Sequence, residues 1–311
     1  MQLISIVIPI FNEEKNTEIL SEKIVTIFQG LPDYDYEIIF VNDGSTDNSY
    51  TKITNLARKN KKVKLLDFSR NFGNQIAVSA GYQYANGGAV INMDGDLQHP
   101  PELIPELISK WEQGNEIVIA KRIEDKHLGF FRRKFTNLYF KIFNKIANIE
   151  IEAGISDYRL LDRKVVHVLK NFTEKNRFFR GIINWIGFKK DYVSYRVDRR
   201  KGGISSFSFL SLFRLGFSGF TSFSLLPLRI AGYLGLLITG ISFLLISYMI
   251  IAMGILKSQY FTPLAYLAVF NAFLIGVVLI CLGFLALYVG NIYGEILNRP
   301  LFIVREKINF E

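Results

Sequence analysis

Short apolar runs and amphipathic stretches alternate along the first 120 residues. Leu3–Ile10 and Glu37–Asn42 are strand-like runs of β-branched and aliphatic residues, each ended by polar turn chemistry, and Val63–Phe68, Ala89–Met93 and Glu116–Ala120 repeat the pattern. Between them lie helical stretches, one from an N-cap at Asn12 to about Phe28 and one over Gln75–Asn86. Strands alternating with helices predict an α/β fold, Rossmann-like and doubly wound, with parallel strands. In such sheets ligands bind beyond the carboxyl ends of the strands. The polar clusters Asn12-Glu13, Asp43-Gly44-Ser45, Arg70-Asn71 and Asp94-Gly95-Asp96 all fall there.

The pattern changes after residue 205. Phe207–Leu228 is rich in Phe, Ser and Leu with Arg214 its only charge, which suits short helices lying in a membrane interface. Ile230–Leu256 carries no charge and, at ~1.5 Å per residue, would reach about 40 Å as a helix, more than a bilayer core requires. Lys257–Pro263 breaks the run, and a second uncharged stretch follows from Leu264 to Tyr293. The expected organisation is a domain over 1–205, interfacial helices over 206–228, a transmembrane hairpin over 229–294 with spans at about 230–256 and 264–290, and a C-terminal tail over 295–311.

Flanking charge sets the expected orientation. Arg214 and Arg229 precede the first span, Arg299, Arg305 and Lys307 follow the second, and the connecting loop has Lys257 alone, so the domain and both termini are expected on the cytoplasmic side of a bacterial plasma membrane. The formal charge of +9 suggests an anionic partner, and two apolar spans make that partner a lipid or a phosphorylated substrate rather than nucleic acid. Cys281 is the sole cysteine, inside an apolar run, which excludes an intrachain disulfide and a cysteine metal cluster. The N-terminus has no basic n-region and reads as a first strand, not a signal peptide.

Asp94-Gly95-Asp96 follows a buried strand, and two carboxylates around a glycine can direct oxygens at one hard divalent cation. In that order along the chain, Val7-Ile8-Pro9-Ile10-Phe11-Asn12-Glu13-Glu14, Val41-Asn42-Asp43-Gly44-Ser45-Thr46-Asp47, Arg70-Asn71-Phe72-Gly73 and Met93-Asp94-Gly95-Asp96-Leu97-Gln98-His99-Pro100 resemble the GT-A-fold polyisoprenyl-phosphate glycosyltransferases. That family includes dolichyl-phosphate mannose synthases and bacterial GtrB-type undecaprenyl-phosphate glucosyltransferases, and the resemblance covers essentially the whole chain.

The resemblance implies metal-assisted, inverting transfer of a hexose from a nucleotide sugar, UDP-glucose above all, to a polyisoprenyl phosphate. GDP-mannose or a modified UDP-sugar is the alternative donor. Pro9, Phe11 and Glu13 would line the nucleoside pocket and Asp43 would read the base, while Asp94, Asp96 and Gln98 would hold Mg2+ or Mn2+. His99 is expected to start a helix with Pro100-Pro101 rather than to bind metal. Arg122, Arg132 and Thr136 resemble the site for the acceptor phosphate, on a segment that also reads as a basic amphipathic helix attracted to lipid headgroups.

Asp157, in Gly154-Ile155-Ser156-Asp157-Tyr158-Arg159, would either orient the sugar or Arg groups or act as a general base. Arg200, in the flexible Arg199-Arg200-Lys201-Gly202-Gly203, suits a loop closing over the diphosphate; the family's frequent Lys after the next Ser is absent, since Ser205 is followed by Ser206. Processive polymer synthesis would need more membrane helices and a Gln/Arg-x-x-Arg-Trp segment, and the chain has neither. A catalytically silent nucleotide-sugar-binding scaffold for a flippase is the rival of another class. Gly235, Gly240, Gly276 and Gly283 offer small-residue faces on which copies of the chain would associate.

Overall fold

The computed structural model describes residues 1–122, 155–172, 174–175, 177–195, 262–297 and 299–310. Arg132, Thr136, Arg200, the interfacial segment 206–228 and the first predicted span lie outside the described residues. The chain divides into two compact units, Met1–Ser206 with Arg299–Glu311, and Phe207–Asn298.

The first unit is built on β1 (Gln2–Ile10), α1 (Thr17–Gln29), β2 (Tyr34–Asn42), α2 (Ser49–Lys59), β3 (Val63–Phe68), α3 (Asn74–Tyr84), β4 (Ala89–Asn92), α4 (Ile104–Glu112), β5 (Ile117–Arg122), β6 (Ile155–Asp162), α5 (Arg163–Lys170), α6 (Phe179–Trp185) and β7 (Lys190–Tyr195). A final strand, β8 (Val304–Ile308), comes from the C-terminal segment. Among the described residues the strands form one sheet in the order β7-β5-β6-β4-β1-β2-β3-β8. The central strands are apolar on both faces because helices cover both: Ile4, Ile6 and Ile8 of β1 enter a core with Leu20, Ile24, Ile53 and Phe40, and Val7 meets Gly81 of α3.

Two findings correct the expected all-parallel sheet. β6 runs antiparallel between β4 and β5, and β8 runs antiparallel on the outer edge of β3, so the sheet is mixed. Reversal of β6 brings its beginning, Ser156-Asp157, to the rim where β1, β2, β4 and β5 end. The segment expected as a tail is therefore an edge strand of the first unit. It is well anchored, since Asn309 Nδ2 donates to the carbonyls of Ala57 and Val63 at 2.6 and 2.7 Å.

Asn12 is not the cap of α1. Its φ is +58°, left-handed geometry that Asn tolerates, and the helix begins at Thr17 after Asn16. The second unit is described by α7, a helix of 34 residues from Pro263 to Ile296 that contains the stretch 264–290 and runs about 50 Å at ~1.5 Å per residue. Side chains are described for only part of α7, and among the described residues no helix is long and apolar enough to cross a membrane.

Candidate functional site

The carboxyl rim has two halves. On the first, the loops after β1 and β2 are stitched together by polar residues the sequence places in motifs. Asn12 N–H donates to Ser45 Oγ (3.0 Å) and Thr46 N–H to Asn12 Oδ1 (2.8 Å). Glu13 N–H donates to Ser49 Oγ (3.0 Å), and Glu14 N–H to Asp47 Oδ2 (3.1 Å). Glu13 in turn accepts from Asn16 Nδ2 at 2.6 Å. Much of this motif therefore holds the loops in register, while Phe11 stands 47% exposed beside them and Pro9 is buried within β1.

Asp43, 3% exposed, accepts from the amides of Phe72 and Gly73 at 2.7 and 2.9 Å, one on each carboxylate oxygen. Burial pushes its carboxyl above the usual range against the pull of those amides and of Arg70. Gly44 makes the clasp possible: its φ is +68°, and a Cβ there would lie 2.5 Å from the backbone of Arg70 and Asn71. Each Asp43 oxygen keeps a second lone pair, so the carboxylate can still accept a donor placed on the rim.

The second half is formed by β4, β5, β6, β7 and α6. Gly95 packs against the end of β1, where a Cβ would meet Ile10 Cδ1 at 2.4 Å, and this seats the Asp94-Gly95-Asp96 loop on the sheet. Leu97 turns with φ +61°, and Asp96 Oδ1 accepts the Gln98 amide at 3.0 Å. His99 does not start the helix: the next turn begins at Pro101, and His99 is a buried brace whose Nδ1 accepts the Asp94 amide at 2.9 Å while its ring stacks on Tyr158 at 5.2 Å. Asp94 accepts from Asn74 Nδ2 at 3.3 Å. Burial raises the Asp94 carboxyl, and repulsion from Asp157 and Asp96 adds to the rise against His99 and Asn74.

Asp157 is bracketed by two guanidiniums. Arg159, only 2% exposed, pairs with Asp157 Oδ1, and Arg180 of α6 donates to Oδ2 at 3.0 Å. Burial alone would raise the Asp157 carboxyl, but Arg159 and Arg180 outweigh it and hold the carboxyl below the usual range. Asn92, at the end of β4, fixes the same turn by donating to the Asp157 carbonyl at 2.8 Å. Arg122 ends β5, exposed and in register with Tyr195, whose phenol is pushed up by burial, with Asp94 and Asp96 adding to the effect and Ser156 and Arg122 opposing it. Asp94, Asp96, Arg122 and Asp157 thus share one charged rim, and Arg132, Thr136 and Arg200 fall outside the described residues.

Arg180, Asn74 and the bracing role of His99 escape the sequence reading. For Arg180 a signal existed: Arg177-Phe178-Phe179-Arg180 has the x-x-Arg spacing, with Gly181 where Trp would complete the pattern.

A divalent cation is tested by this donor set. Among the described residues no three His, Cys, Asp or Glu side chains gather into a cage. Mg2+ and Mn2+ bound with a substrate diphosphate need only one or two carboxylates, with phosphate and water supplying the rest, and the crowded negative charge at Asp94 is what a cation would relieve. The residues fit.

A mixed α/β sheet with a carboxylate loop and a clasped loop pair on its carboxyl rim is the frame of a ligand-binding α/β enzyme, and comparison makes the class definite. The family model for Glycosyl transferase family 2 matches residues 5–169, and the chain belongs to that family. It is 42% identical over 303 residues to the SfII prophage-derived bactoprenol glucosyl transferase of Shigella flexneri, covering 97% of both chains. It is 37% identical over 307 residues to an uncharacterized glycosyltransferase of Bacillus subtilis, covering 99% of this chain and 94% of that one. A crystal structure of glucosyl-3-phosphoglycerate synthase from Mycobacterium tuberculosis, with Mn2+, UDP and glucosyl-3-phosphoglycerate, is 18% identical with a TM-score of 0.44, over 70% of this chain and 76% of that one.

Proposed function

We propose that this glycosyltransferase moves glucose from UDP-glucose to a polyisoprenyl phosphate at the cytoplasmic face of a membrane. The observation that carries the reading is the charged rim of Asp94, Asp96, Arg122, Asp157 and Arg180, in a chain that matches bactoprenol glucosyl transferases over nearly its whole length. Pro9, Phe11 and Glu13 flank the nucleoside, and Asp43 accepts from its base with the lone pairs the loop amides leave free. Asp94, Asp96 and Gln98 would hold Mg2+ or Mn2+, which would supply charge neutralisation for a diphosphate. Arg200 would supply a further positive charge to the same diphosphate.

Arg122, Arg132 and Thr136 hold the acceptor phosphate. Its oxygen already carries negative charge near neutral pH, the second ionisation of a phosphomonoester lying at ~6. Asp157 therefore has no proton to take: held low by two guanidiniums, it aims Arg180 at the rim. Catalysis is then orientation and charge stabilisation.

The topology constrains any membrane anchoring. The chain leaves the first unit at Ser206 and returns at Arg299 to supply β8 to the same sheet, so any membrane crossings between those residues are even in number. The uncharged stretches at 230–256 and 264–290 would provide two. The test is transfer of radiolabelled glucose to undecaprenyl phosphate, followed by lipid extraction. Wild type should give a short glycolipid, and Asp96→Ala should lose about 10³-fold in rate. A polymer, or full turnover in Asp96→Ala, would sink the reading.

A further inference from the structure

The strand that follows the long helix is tied to the clasp around Asp43. Ser69, the first residue after β3, has both backbone groups taken by the C-terminal segment: its N–H donates to the Ile303 carbonyl at 3.0 Å, and its carbonyl accepts from Arg305 Nη2 at 2.9 Å. The register shift between Asp67 and Phe68 opposite Arg305 is a bulge, which turns that side chain from the ladder towards Ser69 and Asp67, 3.6 Å from the latter's carboxylate. Three residues before Arg305, Phe302 stacks on Phe68 with ring centroids 5.2 Å apart and planes 14° apart. Phe68 meets Phe72 edge-on at 5.6 Å, and the Phe72 amide is one of the two that Asp43 holds.

From these contacts we infer that the C-terminal segment, through Phe302 and Arg305, positions the turn Ser69–Gly73 so that Asp43 and its loop present a formed nucleotide pocket. Neither residue touches the rim; both act through the turn. The inference rests on the reading that Asp43 lies in the nucleotide pocket. Its effect falls on donor binding, because the contacts lead through the turn to the Asp43 clasp and, by way of the adjoining Asn74, to Asp94, and none reaches Asp157 or Arg122.

The inference has a physical consequence for how the enzyme is assembled. A turn whose loop backbone is packed against Gly44 and closed by two hydrogen bonds from its amides to Asp43 has little freedom once Ser69 is fixed, and more once it is released. The rest of the strand stays docked without Phe302 or Arg305, through Asn309 on Ala57 and Val63, Tyr50 on Glu306 at 2.7 Å, and the β3 ladder. Loss of either side chain should therefore loosen the turn and leave the sheet in place.

The experiment uses the full-length protein in detergent or nanodiscs, with Phe302→Ala, Arg305→Ala and the conservative Phe302→Tyr. Calorimetry measures UDP binding, steady-state kinetics separates KM for UDP-glucose, KM for undecaprenyl phosphate and kcat, and hydrogen exchange follows peptides covering 69–73. Phe302→Ala should weaken UDP binding and raise the donor KM by about tenfold, the scale expected for one lost aromatic stack plus a loosened loop. Arg305→Ala should do the same by about threefold. Acceptor KM and kcat should stay within twofold of wild type, exchange at 69–73 should quicken, and Phe302→Tyr should restore all three.

Unchanged donor KM and exchange in both alanine variants would overturn the inference, as would a fall in melting temperature that lowers donor and acceptor parameters alike without rescue by Tyr. Failure of wild type to bind UDP would instead overturn the nucleotide reading on which the inference rests.

Discussion

Asp43, buried, and Asp157, largely buried, are carboxylates on one rim, and their surroundings drive them in opposite directions. Asp43 is answered by neutral donors, the amides of Phe72 and Gly73, and burial leaves its carboxyl raised. Asp157 is answered by full charges on Arg159 and Arg180, which overcome its burial and leave it lowered. Dipoles bind a loop and stay available to a ligand; ion pairs fix a charge and commit it. On the proposed function, the half that would recognise a base is built on the first arrangement. The half that would manage diphosphate and acceptor charge is built on the second.

The largest effect should come from breaking the second arrangement. Asp157→Asn removes the anion and leaves Arg159 in the sheet with no counter-charge, which costs ~3 kcal/mol or more when one partner of a buried pair is lost. Denaturant unfolding measures it. The pH dependence carries the sign. Because the folded carboxyl is lowered, its stabilisation is complete above the ordinary carboxylate pKa and disappears as pH falls through the lower, folded value. Asp157→Asn should lack that acid-side loss. A variant as stable as wild type and with the same acid limb would equate the two halves.

Asp43→Asn should cost less, ~1–3 kcal/mol, because one amide donor then faces an NH2 group instead of an oxygen. Here the sign reverses. A raised carboxyl binds its proton more readily folded than unfolded, so its contribution falls as pH rises from the ordinary carboxylate pKa through the folded value. Wild type minus Asp43→Asn should slope downward with pH in that window, where wild type minus Asp157→Asn is flat, its own upward slope lying below the ordinary carboxylate pKa. Parallel slopes would erase the distinction between dipole and ion-pair neutralisation.

How far each half was legible follows from the same physics. β1 to β5 announce themselves because a strand buried on both faces is an uninterrupted apolar run, as in Ile38-Ile39-Phe40-Val41. β6 reads as Ile-Ser-Asp-Tyr-Arg-Leu-Leu-Asp, and Arg159 looks solvent-bound until the fold buries it beside Asp157. β8, Val-Arg-Glu-Lys-Ile, is an edge strand whose charged positions look like a tail and like the basic flank of a membrane helix. Asn12 shows the same limit at a turn, since a short polar residue before a helix signals a cap and a left-handed turn alike. Arg180 lies 23 positions from Asp157, so their pairing exists only in the tertiary structure. The motif positions at the strand ends were legible as a rim; which of them face one another was not.

The smallest effect should come from an ion pair with equally good geometry in the wrong place. Lys23 Nζ lies 2.8 Å from Glu102 Oε1, closer than Arg180 lies to Asp157, yet the two side chains are 47% and 58% exposed. Water already solvates both charges before they meet, and two long side chains must be ordered to hold the contact, so Lys23→Ala should change stability by less than ~0.5 kcal/mol. Raising salt should shrink even that, while the Asp157 difference persists because buried charges are screened far less. If Lys23→Ala cost as much as Asp157→Asn, proximity rather than burial would set the strength of these pairs, and the contrast between the rim's two halves would lose its basis.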